Sequence, residues 1–212
     1  MENLITFYDL AGQQLHQVSF PMNGVWGDIE FDFAPNGDLQ KSCFLLDRLD
    51  TEGKYQIYDA YGNLLAERQV CQPEDWGDCY ATMYLSDDYV IVNYLLQALE
   101  PDETGWYYFE EHADVYRLDG QLVELEQNYS LISPIIDEAD GLIIGYQAEV
   151  RRALSEESNA YLLDDDMQQV WAGRSIYPTV WGGLLQAEQD GQRGLIDMQG
   201  NWIYREPLPE ED

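Results

Sequence analysis

The sequence has very few positively charged residues. Lys41 and Lys54 are its only lysines, and ten Lys and Arg residues face 41 Asp and Glu residues, giving a formal net charge of −31. Such an acidic surface repels phosphate backbones and anionic membranes, so we expect neither nucleic acid nor a membrane as a partner. It attracts and steers basic partners. Solubility alone, or adaptation to a salty milieu, also explains the excess of acid.

Cysteine and histidine are scarce as well. The chain has three cysteines (Cys43, Cys71 and Cys79), no C-x-x-C pair and two histidines. This set is too small and too scattered for a zinc site, so we expect reduced core cysteines, no metal and no cofactor. Asp47 to Gly53 and Asp164 to Asp166 are acidic loops, but neither has the D-x-D-x-D-G spacing of a calcium loop.

Long apolar runs and helical periodicity are also missing. Met1 to Leu4 carry no basic region followed by an apolar stretch, which argues against a signal peptide, and no segment reaches membrane-spanning length. We therefore expect a cytoplasmic protein. Residues 94–99 are the best candidate for a short helical turn, and residues 47–54 are expected to form a polar loop.

Aromatic residues are plentiful. Sixteen Tyr and six Trp accompany an apolar fraction of 45%, whereas disordered acidic tails are poor in aromatics. The chain is long enough to bury a sizeable core. We predict a single folded domain over residues 1–206 and an acidic tail over 207–212.

A short motif recurs along the chain. Its anchor positions are Asp9, Asp59, Arg117, Asp164 and Asp197, and glycine follows three residues later at Gly12, Gly62, Gly120 and Gly200. Asp at the first position of a type I turn accepts a backbone hydrogen bond, and glycine at the fourth takes the left-handed conformation. The motif thus predicts five hairpins. Met167 replaces the glycine in the fourth copy, so that copy is expected to turn differently, through Asp164 to Asp166.

A second column follows 17 residues after three of the anchors. It consists of Trp26, Trp76 and Trp181, each followed by glycine, whereas Pro134 stands there after Arg117. The first anchor spacings are close to one four-stranded propeller blade of about 40–50 residues. The last spacing is shorter, which predicts that the unit beginning at Trp181 lacks a strand.

The segment Gly194 to Ile203 resembles the repeat unit of the WG-repeat proteins, a bacterial family. It contains Gly-Leu-Ile-Asp, a glycine at Gly200 and the hydrophobic pair Trp202-Ile203. Arg193 stands where the family has an aromatic residue, and Pro207 comes later than in the family pattern. The resemblance implies a repeated β-scaffold associated with partner binding. It implies no catalytic residues.

Together these features predict an all-β protein of repeated antiparallel β-sheet units. The units would close into a small β-propeller of about five blades or stack as an open array of β-hairpin repeats. In the closed form, the N-terminal hairpin of residues 4–20 belongs to an incomplete blade that closes against the C-terminal one.

The segment from Gln97 to His112 is the predicted contact surface. Its partner-binding candidates are aromatic and acidic: Trp106, Tyr107, Tyr108, Glu110 and Glu111. Aromatics framed by carboxylates in a long connection are typical of a binding surface. The alternative is that Tyr107 and Phe109 are core residues of a strand.

No catalytic residues are predicted. His112 lies among carboxylates, which suits a general base but is more typical of a solvated loop histidine. No nucleophile elbow of the G-x-S-x-G type occurs. Pairs of carboxylates are unavoidable in so acidic a chain, so glycosidase-like chemistry has no specific support.

Three functions remain as hypotheses. The first is a non-enzymatic protein-binding repeat module. The second is an acidic inhibitor or immunity-type protein that masks a basic partner such as a nuclease toxin. The third, ranked last, is a glycan-acting enzyme. The expected partner is therefore a protein, and a basic one under the second hypothesis.

Overall fold

The structure is a computed structural model that describes residues 2–8, 11–21, 29–32, 38, 40–103, 105, 107–137, 141–151, 158–179 and 182–208. The strands are β1 (Glu2–Tyr8), β2 (Gln14–Pro21), β3 (Ile29–Asp32), β4 (Cys43–Arg48), β5 (Lys54–Asp59), β6 (Leu64–Gln69), β7 (Trp76–Leu85), β8 (Tyr89–Ala98), β9 (Phe109–Arg117), β10 (Leu131–Ile136), β11 (Ile143–Arg151), β12 (Ser158–Leu163), β13 (Gln169–Gly173), β14 (Ser175–Pro178), β15 (Leu184–Gln189), β16 (Gln192–Asp197) and β17 (Trp202–Pro207). One helical turn, α1 (Leu49–Glu52), and one 3-10 turn (Pro73–Asp75) accompany them.

The strands form five antiparallel sheets, and within each sheet neighbouring strands follow one another in the chain. The sheets are β1-β2, β3-β4-β5-β6, β7-β8-β9, β10-β11-β12-β13 and β14-β15-β16-β17. This confirms the predicted all-β class and its repeated sheet units. Closure of the units into a five-bladed propeller stays a prediction.

The chain separates into two compact units. The first comprises Met1–Phe109 and Asp114–Val123, and the second comprises Glu110–Ala113 and Glu124–Asp212. At the C-terminal end, β17 continues to Pro207, and the Leu208 amide donates to the Gly191 carbonyl at 2.9 Å. Residues 209–212 of the predicted tail lie outside the described part of the chain.

The anchor turns join the last two strands of the four-stranded sheets, as the motif predicted. At Asp59, the Gly62 amide donates to the backbone carbonyl at 3.0 Å and the Tyr61 amide donates to the carboxylate at 2.9 Å. The turns at Asp164 and Asp197 repeat both bonds. In all three hairpins the strand register shifts just before the anchor, which is the bulge expected of this connection.

The turn at Arg117 lacks an anchor carboxylate and uses another. The Gly120 amide donates to the Arg117 carbonyl at 2.8 Å, and the side chain of Asp119 accepts from the Gln121 amide at 3.0 Å. The returning strand is reduced to a single bridge between Tyr116 and Leu122. This explains why the β7-β8-β9 sheet has three named strands rather than four.

The expectation that Met167 changes the turn is wrong. Met167 has φ of 61°, and its amide donates to the Asp164 carbonyl at 3.0 Å, as glycine does elsewhere. A left-handed conformation costs a residue with a Cβ atom roughly 1–2 kcal/mol. The Met167 side chain is fully buried, and burying a methionine contributes about 1.5–3 kcal/mol. Burial therefore offsets the backbone cost.

Two predicted boundaries are also wrong. The last unit was predicted to begin at Trp181 and to lack a strand. However, β14 precedes Trp181 and pairs with β15, so the last sheet has four strands. Trp181 and Trp26 themselves lie outside the described residues. Residues 47–54 are not a polar loop. Asp47 belongs to β4, and Leu49 is buried at the start of α1. This acidic stretch therefore contains a helical turn with a buried leucine.

Gly120 and Gly12 offer a matched test of the turns. Both have positive φ, of 84° and 79°, but a Cβ atom at Gly120 would overlap the Leu65 carbonyl oxygen, whereas a Cβ atom at Gly12 would have no described residue within 4 Å. Gly12→Ala should cost about 1 kcal/mol of unfolding free energy, the conformational term alone. Gly120→Ala should cost clearly more, because backbone must move. Urea denaturation of both variants measures the difference, and equal losses would refute the close approach.

The core of the first unit lies between its sheets. Its buried residues come from β4, β5, α1, β7, β8 and β9, with Leu45, Tyr55 and Val90 completely enclosed. The N-terminal hairpin packs on the β3-β4-β5-β6 sheet. Val18 of the hairpin and Phe44 of the sheet belong to a separate cluster of buried residues.

Three carboxylates hold the outer edge of β7. The amides of Cys79, Ala81 and Leu85 donate to side-chain oxygens at 2.6, 2.7 and 2.8 Å. The acceptors come from α1, β4 and β3 and are Asp50, Asp47 and Asp32 respectively. Acidic residues thus tie one sheet to the next within the first unit.

The second unit has its own core. It is built from buried residues of β10 and β12 to β16, among them Leu162, Trp171, Ile176, Leu185 and Ile196. The two four-stranded sheets of this unit therefore share one apolar cluster.

Candidate functional site

The predicted contact segment is shorter than its sequence suggested. β8 continues to Ala98 and β9 begins at Phe109, so the connection comprises residues 99–108. The helical turn expected at 94–99 is wrong, because β8 pairs with β7 along that stretch. The Ala98 amide donates to the Tyr108 carbonyl at 2.9 Å, which closes the base of the connection.

The aromatic residues of this segment are exposed. Tyr107, Tyr108 and Phe109 are 43%, 38% and 44% exposed, so the alternative that Tyr107 and Phe109 are core residues is wrong. Leu99, at the other end of the connection, is exposed as well. Trp106 lies outside the described residues. We call Leu99, Tyr107, Tyr108 and Phe109 the aromatic patch.

Acidic residues frame the aromatic patch. Glu100, Asp102 and Glu103 are exposed, and the Gly105 amide donates to the Asp102 carbonyl at 3.0 Å in a turn. Gly105 has φ of 88°, a conformation suited to glycine. The connection therefore holds apolar rings and carboxylates in solvent, a combination that can contact a basic surface with apolar groups.

The predicted pair Glu110 and Glu111 belongs to the second unit, and both residues lie in β9. Glu111 accepts two hydrogen bonds from Nη1 of Arg151, at 2.9 and 3.1 Å, while Nε of Arg151 donates to Glu149 at 2.9 Å. Oε2 of Glu110 lies 3.5 Å from Nε2 of His112. Arg151 therefore already neutralises part of the negative charge that the sequence assigned to a partner.

A cavity of about 420 Å³ opens in the second unit. Its polar lining residues come from two sheets and are Asn159, Tyr161, Arg174, Gln189 and Asp190. Nη1 of Arg174 donates to the Glu188 carboxylate at 3.0 Å, and the side-chain amide of Gln189 donates to the Ala172 backbone carbonyl at 2.8 Å. These donors are thus engaged within the protein. No sequence signal pointed to this cavity, because its residues are far apart in the chain.

A polar cluster lies inside the first unit and was also missed. The Tyr55 hydroxyl donates to Asp114 at 2.5 Å and lies 2.8 Å from the Tyr116 hydroxyl, and Arg68 pairs with Asp114 at 3.3 Å. Burial and then the Asp114 charge raise the pKa of Tyr55 and of Tyr94. Because Tyr55 is enclosed, this arrangement is an internal tie between two sheets.

The three cysteines are buried in the protein. All three are free and buried, and no group of three or more potential metal ligands occurs among the residues that the structure describes. Burial raises the pKa of the Cys43 thiol to about 12 and that of Cys71 to about 11. Protonated, enclosed thiols suit packing rather than nucleophilic chemistry.

The fold and this surface define an all-β protein of repeated sheets with an exposed aromatic patch. Comparison with models of known protein families gives no match, and comparison with curated proteins gives none either. The resemblance to WG-repeat proteins stays a prediction. In the described part of the chain, helices are too short or too polar to cross a membrane.

Proposed function

We propose that this protein is a non-enzymatic binding module for another protein, and that the aromatic patch is its contact surface. The observation that carries the proposal is the exposure of three consecutive aromatic residues, Tyr107, Tyr108 and Phe109. Aromatic side chains are enriched at the centres of protein interfaces, where a few of them supply most of the binding energy.

The charge of the chain favours a basic partner. Seven of its ten Lys and Arg residues form ion pairs with acidic side chains in the described residues, namely Lys41, Arg48, Lys54, Arg68, Arg151, Arg174 and Arg193. With 41 acidic residues present, a large negative excess remains. Such a field accelerates association with basic proteins.

Replacing Tyr107 and Tyr108 together by alanine tests the patch. A partner captured by the wild-type protein from lysate of the native host, then purified, should bind the double variant at least about 30-fold more weakly, since two aromatic anchors are worth about 2 kcal/mol or more. Because both side chains are exposed, the stability of the protein should hardly change. Isothermal titration calorimetry measures the affinity, and circular dichroism checks the fold.

The matched control removes two exposed tyrosines elsewhere. Tyr177 and Tyr204, on β14 and β17, are exposed to a similar degree, so their double alanine variant should bind like the wild type. Unchanged binding by the Tyr107 and Tyr108 variant would rule out the patch, whatever the partner.

An acidic inhibitor that masks a basic protein is the second candidate, and the excess of carboxylates supports it. Under this alternative, charge rather than the aromatic rings carries recognition. The association rate should then fall steeply as salt rises, because long-range attraction between exposed charges is screened. Stopped-flow association at low and high salt tests the inhibitor, and the Tyr107 and Tyr108 variant tests the aromatic patch. A rate that does not change with salt would rule out the inhibitor.

A further inference from the structure

Strand β1 has an open edge. In the described part of the chain it pairs with β2 alone, and their register shifts between Phe7 and Tyr8, just before the first anchor position. β1 therefore occupies the place that β5, β12 and β16 occupy in their sheets. Those three strands have a neighbour on both sides, whereas β1 has a neighbour on one side among the described residues.

The open strand is almost free of charge. β1 and β2 together contain one acidic residue, Glu2, and neither Lys nor Arg, although the whole chain carries a net charge of −31. Leu4 and Tyr8 of β1 are 58% and 61% exposed. Proteins usually protect edge strands with charge or proline, and β1 has neither beyond its first residue. The outer edge of β7, in contrast, is covered by three carboxylates.

We infer that β1 pairs with β1 of a second copy of this chain, antiparallel and about a two-fold axis. The resulting sheet, β2-β1 of one copy followed by β1-β2 of the other, has four strands, the number in the complete sheets of this fold. A two-fold axis makes a strand antiparallel to its own copy, so every contact is self-complementary. Added strands gain main-chain hydrogen bonds along an open edge.

The lack of charge along β1 favours a second copy as its occupant. A neutral, apolar strand matches another neutral, apolar strand, whereas the basic partner of the proposed function would gain nothing from β1. The rest of each copy is strongly negative, so two copies repel one another until salt screens them. The dimer should therefore strengthen with salt, the opposite of binding to a basic partner. This inference is independent of the proposed function.

Analytical ultracentrifugation of the 212-residue chain tests the dimer. The measurement covers about 5–500 μM protein at about 50 and about 500 mM NaCl, because a small interface is expected to give a dissociation constant in the micromolar range. The 24.5 kDa chain should show a species of twice that mass, more populated at high salt. Leu4→Glu places a new carboxylate beside the two-fold axis on both copies, and should weaken the dimer at least tenfold. Ile203→Glu, an equally exposed position on β17, should leave the dimer unchanged.

Hydrogen exchange of the β1 amides tests the dimer in the wild-type protein, so the result does not depend on whether a variant folds. In the wild type, their protection should increase with protein concentration. A monomer at every concentration and salt would overturn the inference. So would a dimer that survives Leu4→Glu, or protection of β1 that does not depend on concentration, which would show that the edge is covered within one copy.

Discussion

Asp47→Ala is expected to lower the free energy of unfolding by about 2–5 kcal/mol, the cost of leaving two buried backbone amides without an acceptor. The Asp47 carboxylate is buried and accepts from the Leu49 amide at 2.9 Å and from the Ala81 amide at 2.7 Å. One bond holds the start of α1, and the other holds the edge of β7. Alanine supplies no acceptor, and water cannot reach either amide without opening the core.

Urea denaturation measures this loss, and two variants frame it. Asp47→Asn keeps one side-chain oxygen, so its loss should be smaller. Asp87→Ala removes an exposed carboxylate that lies 3.6 Å from Nζ of Lys41, and exposed ion pairs contribute about 0–1 kcal/mol. Similar small losses for Asp47→Ala and Asp87→Ala would show that the buried carboxylate does not tie the sheets.

Alkaline pH is expected to destabilise the first unit through Tyr55. Burial, and then the charge of Asp114, raise the pKa of Tyr55 above its value in the unfolded chain, which is about 10. The folded state therefore holds its proton more tightly. This contribution to stability is fully present below pH of about 10, and it is lost as pH rises from there towards the folded pKa. The expected slope for this group is about −1.4 kcal/mol per pH unit.

Tyr55→Phe isolates the effect. At neutral pH the variant should lose about 1–2 kcal/mol, since Asp114 and Tyr116 lose a hydrogen-bond partner. Above pH of about 10 its stability should fall less steeply than that of the wild type. Urea denaturation between pH 8 and 11.5 gives both values, with Tyr177→Phe as a control at an exposed site. Parallel curves for wild type and Tyr55→Phe would disprove the assignment.

The hairpins could be predicted because their causes are local. Asp59 contacts amides two and four residues away, and Gly62 needs only its own backbone conformation. A repeated local pattern therefore identified turns, strand order and the all-β class. Met167 shows the limit of this reasoning. Its left-handed conformation is possible because the side chain is buried, and burial is not visible within the turn itself.

The candidate site could be predicted only in part. The aromatic and acidic composition of residues 97–112 singled out Tyr107 and Tyr108, and both are exposed. The same composition also fitted a buried strand, because alternation of apolar residues does not reveal which face is covered. Glu111 was expected to await a partner, yet Arg151, 40 residues further on, accounts for two of its hydrogen bonds.

The sequence by itself determined the anchor turns, the antiparallel sheets in chain order and the excess of negative charge. Only the tertiary structure decided which carboxylates are internal, as Asp47 is, and that β1 pairs with β2 alone in the described part of the chain. The physical reason is range. Turn chemistry acts over three or four residues, whereas burial, ion pairing and the covering of a strand edge depend on segments that folding brings together from distant parts of the chain.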